Sequence, residues 1–367
     1  MKEAGNFLLE SGATQTAERP SGRAVDLMSE PREGQVLDGR FTILETINRG
    51  GMAWIYKAFD AESGKVVAIK LPLARFECDT SFYSRFQREE TIGLTLNHPS
   101  VVKILPAGVK KSRPYIVMEY LEGVTLAARL RETPGRSEAE AARIAIRVCD
   151  ALNYLHRNGV IHRDLKPENI MLCDDGSLRI LDFGIAKSEQ SRRLTFGGFS
   201  SAVGTPDYIA PEQVKGKRGD GRTDIYSLGA MLYVMTTGSA PFEGDSPYVV
   251  MNARVSGDPE APRKRNPQLS PQMEEIILHA MEREPSDRFA SAAAMKAELS
   301  DYSEVSLEGR YQRLTPPRFL PTHVPLLKKM LAIVAAQVAL FFILYWHFNS
   351  QHHNASSVKS TVTQQTK

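Results

Sequence analysis

Four short motifs in a fixed order constrain this chain more than any other feature. A β-branched run ends at Lys70, and the eight residues His162–Asn169 read HRDLKPEN. An Asp-Phe-Gly triplet then begins at Asp182, and an Ala-Pro-Glu triplet ends at Glu212. A single triplet of this kind is common by chance. Four motifs in this order are specific, because one fold must bring their charged side chains to defined positions.

The composition is that of an ordinary globular protein. The chain has 367 residues, of which 42% are hydrophobic and 24% are charged, so collagen, global disorder and a polytopic membrane protein are excluded as classes. Only three cysteines occur, and they are widely separated. They form neither a disulfide framework nor a CxxC metal site, so we expect most of the chain to be cytosolic.

Hydrophobic patterning predicts an α+β fold, with a small β-rich part followed by a larger helical part. Residues 1–36 have no sustained apolar period and are predicted to be a disordered arm. The predicted strands are Arg40–Ile47, Trp54–Phe59, Val66–Leu71 and Pro114–Tyr120, and the predicted helices are Ser81–Leu96, Ser137–Arg157, Arg222–Thr237 and Pro271–Arg283.

From about Phe41 to Asp301 the motifs resemble those of the bacterial eukaryotic-like (Hanks-type) serine/threonine protein kinases. The resemblance implies a bilobal kinase domain over 37–302, with the N-lobe at about 37–120 and the C-lobe at about 121–302. It also implies transfer of the ATP γ-phosphoryl group to serine and threonine hydroxyls of proteins, with autophosphorylation expected.

The resemblance also assigns catalytic roles. Asp164 would be the base that accepts or orients the substrate hydroxyl proton, and Lys166 would steady the transferred phosphoryl group. Lys70 would hold the α- and β-phosphates. Its carboxylate partner is expected to be Glu89, with Glu90 as the alternative about 100° further round the same helix.

The implied cofactors are ATP and Mg²⁺, and Mn²⁺ would also suit the same ligands. Asn169 and Asp182 would supply the oxygen ligands of the metal. Lys166 follows the catalytic aspartate by two residues, which is the pattern of the serine/threonine branch. Thr205 would form part of the substrate platform. In the same family pattern Asp224 braces the catalytic loop, and Glu212 pairs with an arginine, Arg288.

The phosphate-binding loop departs from the family pattern GxGxxG. Only the middle glycine, Gly50, is kept, and Asn48 and Ala53 stand at the outer positions. We interpret this as a weakened but usable loop, because asparagine tolerates left-handed backbone angles and alanine is small. The full expected ATP-binding set is Ile47, Asn48, Gly50, Gly51, Met52, Ala53, Ile55, Ala68, Lys70, Met118, Glu119, Leu121 and Met171.

A second function class is a pseudokinase that binds partners as a signalling scaffold. Its only support is the altered loop at Asn48 and Ala53. Pseudokinases usually lack the strand lysine, the catalytic aspartate or the metal aspartate, and this chain has all three.

Near the C terminus, residues 330–348 are apolar at 17 of 19 positions. As a helix they would reach about 28 Å, close to a bilayer core of roughly 30 Å, whereas the alternative is a buried C-terminal helix of the soluble domain. We therefore predict a basic juxtamembrane linker at 303–329, one transmembrane helix at 330–348 and a short polar extracytoplasmic tail at 349–367. The kinase would lie on the cytoplasmic side of the cell membrane, because Arg318, Lys328 and Lys329 precede the span.

The remaining expectations concern regulation and partners. Phosphorylation between Asp182 and Glu212 is expected to activate the enzyme, with Ser201 favoured and Thr195 and Ser200 as the other candidates. Expected partners are protein substrates and membrane lipid, with a homodimer left open. Nucleic acid is not expected, because no basic motif interleaved with aromatic residues occurs.

Overall fold

The computed structural model describes residues 30–77, 79–182, 206–317 and 333–346. The chain divides into two compact units. The small unit comprises Met1–Leu96 and Lys103–Leu121, and the large unit comprises Asn97–Val102 and Glu122–Lys367. This division follows the predicted order of a β-rich part and a helical part.

The small unit is built on a six-stranded antiparallel sheet with the strand order β1-β2-β3-β4-β6-β5. Its strands are β1 Val36–Leu37, β2 Phe41–Arg49, β3 Ala53–Asp60, β4 Lys65–Pro72, β5 Ile104–Leu105 and β6 Ile116–Glu119. Trp54, Tyr56 and Ala58 alternate along β3 and are buried, as the period of two in a strand requires. The predicted strands therefore match the observed ones to within two residues at each end.

Two helices follow β4 in the small unit, α1 Ala74–Glu77 and α2 Thr80–Thr95. The Asp79 carboxylate caps α2 by accepting hydrogen bonds from the backbone N–H groups of Ser81 and Phe82 at 2.9 and 3.0 Å. The buried face of α2 carries Phe82, Phe86, Glu89 and Gly93. A carboxylate on the apolar face of a helix indicates a buried cationic partner.

The large unit is mainly helical, with a small sheet of β7 Gly123–Thr125, β8 Ile170–Cys173 and β9 Leu178–Ile180. Its helices are α3 Leu126–Glu132, α4 Glu138–Arg157, α5 Pro211–Val214, α6 Gly221–Thr237, α7 Pro247–Ser256, α8 Pro262–Arg265, α9 Pro271–Ala280 and α10 Ala292–Ser300. Helix α6 is buried on almost every face and forms the centre of this unit. It ends at Gly238, whose φ of 72° is the left-handed conformation of a C-cap glycine.

Helix α9 ends three residues earlier than the sequence predicted. The expected helix ran to Arg283, whereas the observed one stops at Ala280. Arg288 donates to the carbonyl oxygens of Glu282 at 2.7 Å and of Arg283 at 3.0 Å. These interactions hold the chain after α9 in its non-helical path.

Residues 305–317, here called the C-terminal strap, pack on the large unit beyond the predicted domain end at 302. The Glu275 carboxylate accepts hydrogen bonds from the Arg310 guanidinium at 2.7 Å and from the backbone N–H of Glu308 at 3.2 Å. Asp258 and Thr315 exchange two hydrogen bonds of 2.8 Å. The packed chain therefore extends to Pro317, where the described segment ends.

The described part of the predicted transmembrane segment is a helix over 333–346, α11, and all of its residues are exposed. Within the described ranges, no helix has the length and apolar character needed to cross a membrane. The two ends of the predicted span, 330–332 and 347–348, lie outside the described residues, as do 318–329 of the predicted linker and all of the predicted tail.

Candidate active site

Lys70 lies on β4, opposite Ile55 on β3 and Ile116 on β6. Its ammonium group Nζ is 2.6 Å from Oε1 of Glu89. Glu89 is buried and Lys70 is largely buried, with 5% and 12% of their side chains exposed. Removing either charge would leave the other buried and uncompensated, so the contact ties α2 to the sheet.

Glu90, the alternative partner of Lys70, has a different contact. It forms an ion pair with Lys111, whose Nζ also donates to the Tyr115 carbonyl at 2.6 Å. Adjacent residues on a helix point about 100° apart, so only one of the two glutamates can face β4. Of the two candidates, the structure places Glu89 at Lys70.

In the large unit, the segment between α4 and β8 carries three of the predicted active-site residues. The Lys166 Nζ lies 3.4 Å from Oδ2 of Asp164. The Asn169 amide donates to the Asp164 carbonyl oxygen at 2.8 Å and to Oδ2 at 3.2 Å. The carboxylate of Asp164 is 24% exposed. It is thus held by two neighbours and remains accessible to a polar reactant.

A buried carboxylate on α6 fixes the backbone just before Asp164. Asp224 is fully buried and accepts hydrogen bonds from the backbone N–H groups of His162 at 2.9 Å and Arg163 at 2.8 Å. His156 Nε2 lies 2.7 Å from the same carboxylate. Arg163 has a φ of 61°, which is unfavourable for a side chain of this size. The bonds to Asp224 hold this conformation in place.

Asn169 and Asp182 are the predicted metal ligands. The Leu181 N–H donates to the Asn169 carbonyl at 2.8 Å, so the chain leading to Asp182 is fixed beside Asn169. The side chains of both residues carry oxygen donors, which suit Mg²⁺, an ion that usually takes one or two protein oxygens together with phosphate oxygens and water. Across the described ranges, no group of three or more His, Cys, Asp or Glu side chains forms a self-sufficient metal site.

The altered phosphate loop forms a tight hairpin between β2 and β3. The Gly50 N–H donates to the Ala53 carbonyl at 3.0 Å. A Cβ atom added to Gly50 would lie only 2.9 Å from that carbonyl oxygen. Arg75 on α1 donates to the Gly51 carbonyl at 2.7 Å, which the sequence did not predict. The loop is therefore braced by a side chain from outside the expected motif.

The other predicted ATP-binding residues lie mainly on the small sheet. Ala68 and Met118 face each other across β4 and β6. Ile47 and Asn48 lie on β2, Ile55 lies on β3, and Gly51 and Met52 lie in the turn between these strands. Glu119 is the last residue of β6, and Leu121 follows that strand. Met171 instead belongs to β8 of the large unit.

The Glu212–Arg288 pair is buried in the large unit. The guanidinium contacts both carboxylate oxygens, at 2.9 and 2.8 Å. Burial alone would raise the pKa of Glu212, but the hydrogen bonds and charge of Arg288 outweigh it and the pKa is lowered. Thr223 also donates to this carboxylate at 2.8 Å. The pair ties α5 to the segment after α9, and we assign it a structural role.

The candidate phosphosites Thr195, Ser200 and Ser201, the platform residue Thr205, and the Phe and Gly that follow Asp182 all lie outside the described residues. The description resumes at Pro206. Gln213 links this region to the catalytic loop, because its side-chain amide donates to the Arg163 carbonyl at 2.9 Å and accepts from the Ala210 N–H at 3.1 Å. No sequence signal marked Gln213 for this role.

Comparison with known proteins gives three consistent results. A probable serine/threonine-protein kinase of Streptomyces coelicolor is 38% identical over 287 residues, which are 77% of this chain and 42% of that protein. The serine/threonine-protein kinase PknB of Mycobacterium tuberculosis is 38% identical over 267 residues, 72% of this chain and 43% of PknB. The crystal structure of the Mycobacterium tuberculosis PknI kinase domain matches with a TM-score of 0.60 at 23% identity, covering 75% of this chain and 100% of that one.

The PknI match shows a shared fold. This chain spans less than half the length of the two curated relatives. The model of one family, described as the protein kinase domain, matches residues 41–300, which is well over half of the chain. This chain belongs to the protein kinase domain family.

Proposed function

We propose that this chain is a membrane-tethered serine/threonine protein kinase that transfers the γ-phosphoryl group of ATP to protein hydroxyls and phosphorylates itself. The observation that carries the proposal is the arrangement around Asp164. Its partly exposed carboxylate is fixed by Asn169 and lies 3.4 Å from the ammonium group of Lys166. A positioned carboxylate beside a cation is what transfer of a phosphoryl group to a hydroxyl requires.

The proposed role of each active-site residue follows from its charge or its oxygen atoms. Lys70, held by Glu89, would bind phosphate oxygens, and Asn169 and Asp182 would hold Mg²⁺ or Mn²⁺ through oxygen atoms. Bound magnesium–ATP would supply the phosphoryl group and neutralise charge on its oxygens. Asp164 would orient the acceptor hydroxyl and take its proton. Lys166 would balance negative charge beside that hydroxyl.

The direct test uses the full chain in detergent, γ-labelled ATP, Mg²⁺ and myelin basic protein as a generic acceptor. Wild type should label the acceptor. Asp164→Asn should abolish labelling while ATP binding survives, and Lys70→Met should inactivate by removing the phosphate-binding charge. Asp174→Asn is a matched control, because Asp174 is exposed on the turn after β8. Retained turnover in Asp164→Asn, with contaminating kinases excluded, would refute the catalytic assignment of Asp164. Absence of labelling by wild type would favour the scaffold alternative.

The choice of serine and threonine over tyrosine is supported by the relatives, which are described as serine/threonine-protein kinases. Lys166 at its position after Asp164, and Thr205 as a platform residue, support the same acceptor class. Phosphoamino acid analysis of the labelled acceptor tests this directly. Phosphotyrosine as the main product would contradict the proposal.

The membrane tether is supported by the sequence of residues 330–348 and by the basic residues Arg318, Lys328 and Lys329 before them. The exposure of large apolar side chains on α11, including Phe341 at 66% and Trp346 at 73%, also suits a lipid environment. A reporter fused after Lys367 should be active only if it functions outside the cytoplasm. Activity of a cytoplasm-only reporter at that position would overturn the topology.

Autophosphorylation is proposed to activate the enzyme at Ser201, Thr195 or Ser200. Arg163 places a permanent cation directly before Asp164, and a phosphate adds about −1.5 to −2 charge that such a cation could bind. Initial rates of the triple alanine variant should fall well below those of fully phosphorylated wild type. Equal rates would refute activation through these residues.

A further inference from the structure

Arg254 on α7 has an unusual environment for an arginine. It is the largest fully buried side chain of the described residues, with an exposed fraction of 0%. Arginine is rarely buried completely, because removing its charge from water is costly unless its donors are satisfied. Among the described residues the Nε of Arg254 has no hydrogen-bond partner, so the compensation comes from its two terminal nitrogens.

The guanidinium of Arg254 is directed at the main chain of residues 207–209. Nη2 donates to the Asp207 carbonyl oxygen, and Nη1 lies 3.4 Å from the Ile209 carbonyl oxygen. The rings of Phe242 and Tyr226 flank the guanidinium carbon at 5.0 and 5.9 Å. Two aromatic faces thus stabilise the cation, and two carbonyl groups receive its hydrogen bonds.

A second side chain holds the carbonyl between these two. Ser227 on α6 donates to the Tyr208 carbonyl oxygen at 2.7 Å. Three successive carbonyl groups, those of residues 207–209, are therefore fixed by Arg254 and Ser227. The next residue, Ala210, connects through Gln213 to the carbonyl of Arg163, directly before Asp164.

We propose that Arg254 is a positioning residue for the protein substrate. Through the Asp207 and Ile209 carbonyls it fixes the segment that follows Thr205, so that this segment presents a defined surface to the substrate chain beside the acceptor hydroxyl. The proposal rests on the kinase function proposed above, and it assigns α7 a part in substrate binding that no catalytic motif contains.

The geometry requires arginine at this position. Its planar fork reaches two carbonyl groups that are two residues apart, whereas a lysine has a single nitrogen on a flexible stem. Arg254→Lys keeps the charge but cannot reproduce both contacts. Arg254→Met keeps most of the stem and removes every donor. The two variants therefore separate the loss of charge from the loss of the fork.

The experiment measures steady-state kinetics of full-length protein in detergent, with ATP and myelin basic protein varied separately. For Arg254→Met we expect kcat/KM for the protein acceptor to fall at least about tenfold, toward the ~100-fold loss that a 1 Å misplacement can cause. KM for ATP should stay within about twofold, since nucleotide contacts are not removed. Arg254→Lys should also lower kcat/KM for the protein acceptor, but by a smaller factor.

Ser227→Ala is the second variant, because it removes the contact to the Tyr208 carbonyl with little change in volume, and it keeps the proposal testable if Arg254→Met fails to fold. It should also raise KM for the protein acceptor. Arg310→Lys is the matched control: it alters another largely buried arginine of the large unit, in the C-terminal strap, and should lower stability without changing either KM.

The outcomes separate the two proposals. If wild type phosphorylates the acceptor and the Arg254 and Ser227 variants keep its KM for that acceptor, the positioning role is wrong and kinase function stands. The same conclusion follows if the KM for ATP and the KM for the protein acceptor rise equally in these variants. If wild type transfers no phosphate to any acceptor or to itself, the proposed function fails, and the substrate role of Arg254 fails with it.

Discussion

The C-terminal strap offers the sharpest stability prediction, which concerns Arg310→Met. The Arg310 guanidinium lies 2.7 Å from the Glu275 carboxylate, and only 10% and 4% of the two side chains are exposed. Removing one partner of a buried ion pair costs about 3–5 kcal/mol, because the other charge remains buried and unpaired. Glu275 keeps two backbone N–H contacts, from Glu308 at 3.2 Å and Arg310 at 3.3 Å.

These two contacts place the expected loss at the lower end of that range, about 3 kcal/mol in the free energy of unfolding. At roughly 2–4 °C per kcal/mol for a domain of this size, the melting temperature should fall by about 6–12 °C. Urea unfolding followed by circular dichroism measures the free energy directly, and calorimetry measures the melting temperature.

Arg265→Met is the matched control. Arg265 pairs with Glu243 and Glu260, and all three side chains are substantially exposed, between 37% and 60%. Exposed pairs contribute about 0–1 kcal/mol. In a double-mutant cycle, Arg310→Met should lower the free energy of unfolding less in the Glu275→Gln background, because no buried charge is then left unpaired. If Arg310→Met costs no more than Arg265→Met, the reasoning about the buried pair is refuted.

Three further predictions follow from contacts in the small unit and from one histidine. Glu89→Gln should lower kcat/KM for phosphoryl transfer about 10- to 100-fold, because a charged contact to Lys70 is lost. Glu90→Gln should change the same kcat/KM less than about threefold, and steady-state assays compare the two variants. Gly50→Ala should raise KM for ATP at least about fivefold, since the new Cβ meets the opposite carbonyl oxygen at 2.9 Å. Burial lowers the pKa of His279 from its ordinary value near 6.5 to about 4. The folded ring therefore resists the proton that the unfolded chain accepts, so the unfolding free energy should be fully retained above pH 6.5. It should fall by roughly 1–2 kcal/mol toward pH 4 after discounting for solvent screening of the partly exposed ring; His279→Phe should remove this slope in urea titrations.

The residues that sequence reasoning found are those with a local signal. Lys70 stands at the end of a β-branched strand, and Asp164 and Asn169 stand in an unbroken motif. Hydrophobic period located four of the six strands of the small sheet to within two residues, whereas the two-residue strands β1 and β5 were not predicted. The choice between Glu89 and Glu90 needed the structure, because both lie within one helical turn and only the contacts to Lys70 and Lys111 distinguish them.

The residues that sequence reasoning missed have no local signal. Arg254 is fully buried and Arg310 is largely buried, although arginine is normally expected at the surface. Their partners are distant in the chain: Arg254 binds a carbonyl 47 residues earlier, and Arg310 binds a carboxylate 35 residues earlier. The strap lies within the segment 303–329 that was predicted to be a basic juxtamembrane linker. The strap is held in place by long-range ion pairs and carbonyl contacts, and a hydrophobic period in the sequence does not reveal such contacts.

The altered phosphate loop bears on the choice between an enzyme and a scaffold. Asn48 lies within β2 opposite Ile55, and Ala53 begins β3 opposite Pro72. Neither has a positive φ; among the described non-glycine residues only Asp38, Arg163 and Asp182 do. A side chain at these two positions therefore causes no backbone strain. Gly50, where a Cβ would meet the opposite carbonyl oxygen, is the position that needs glycine, and it is the one the chain keeps. The departure from the family pattern thus removes glycines where this hairpin does not require them, and it gives no reason to prefer a scaffold over a kinase.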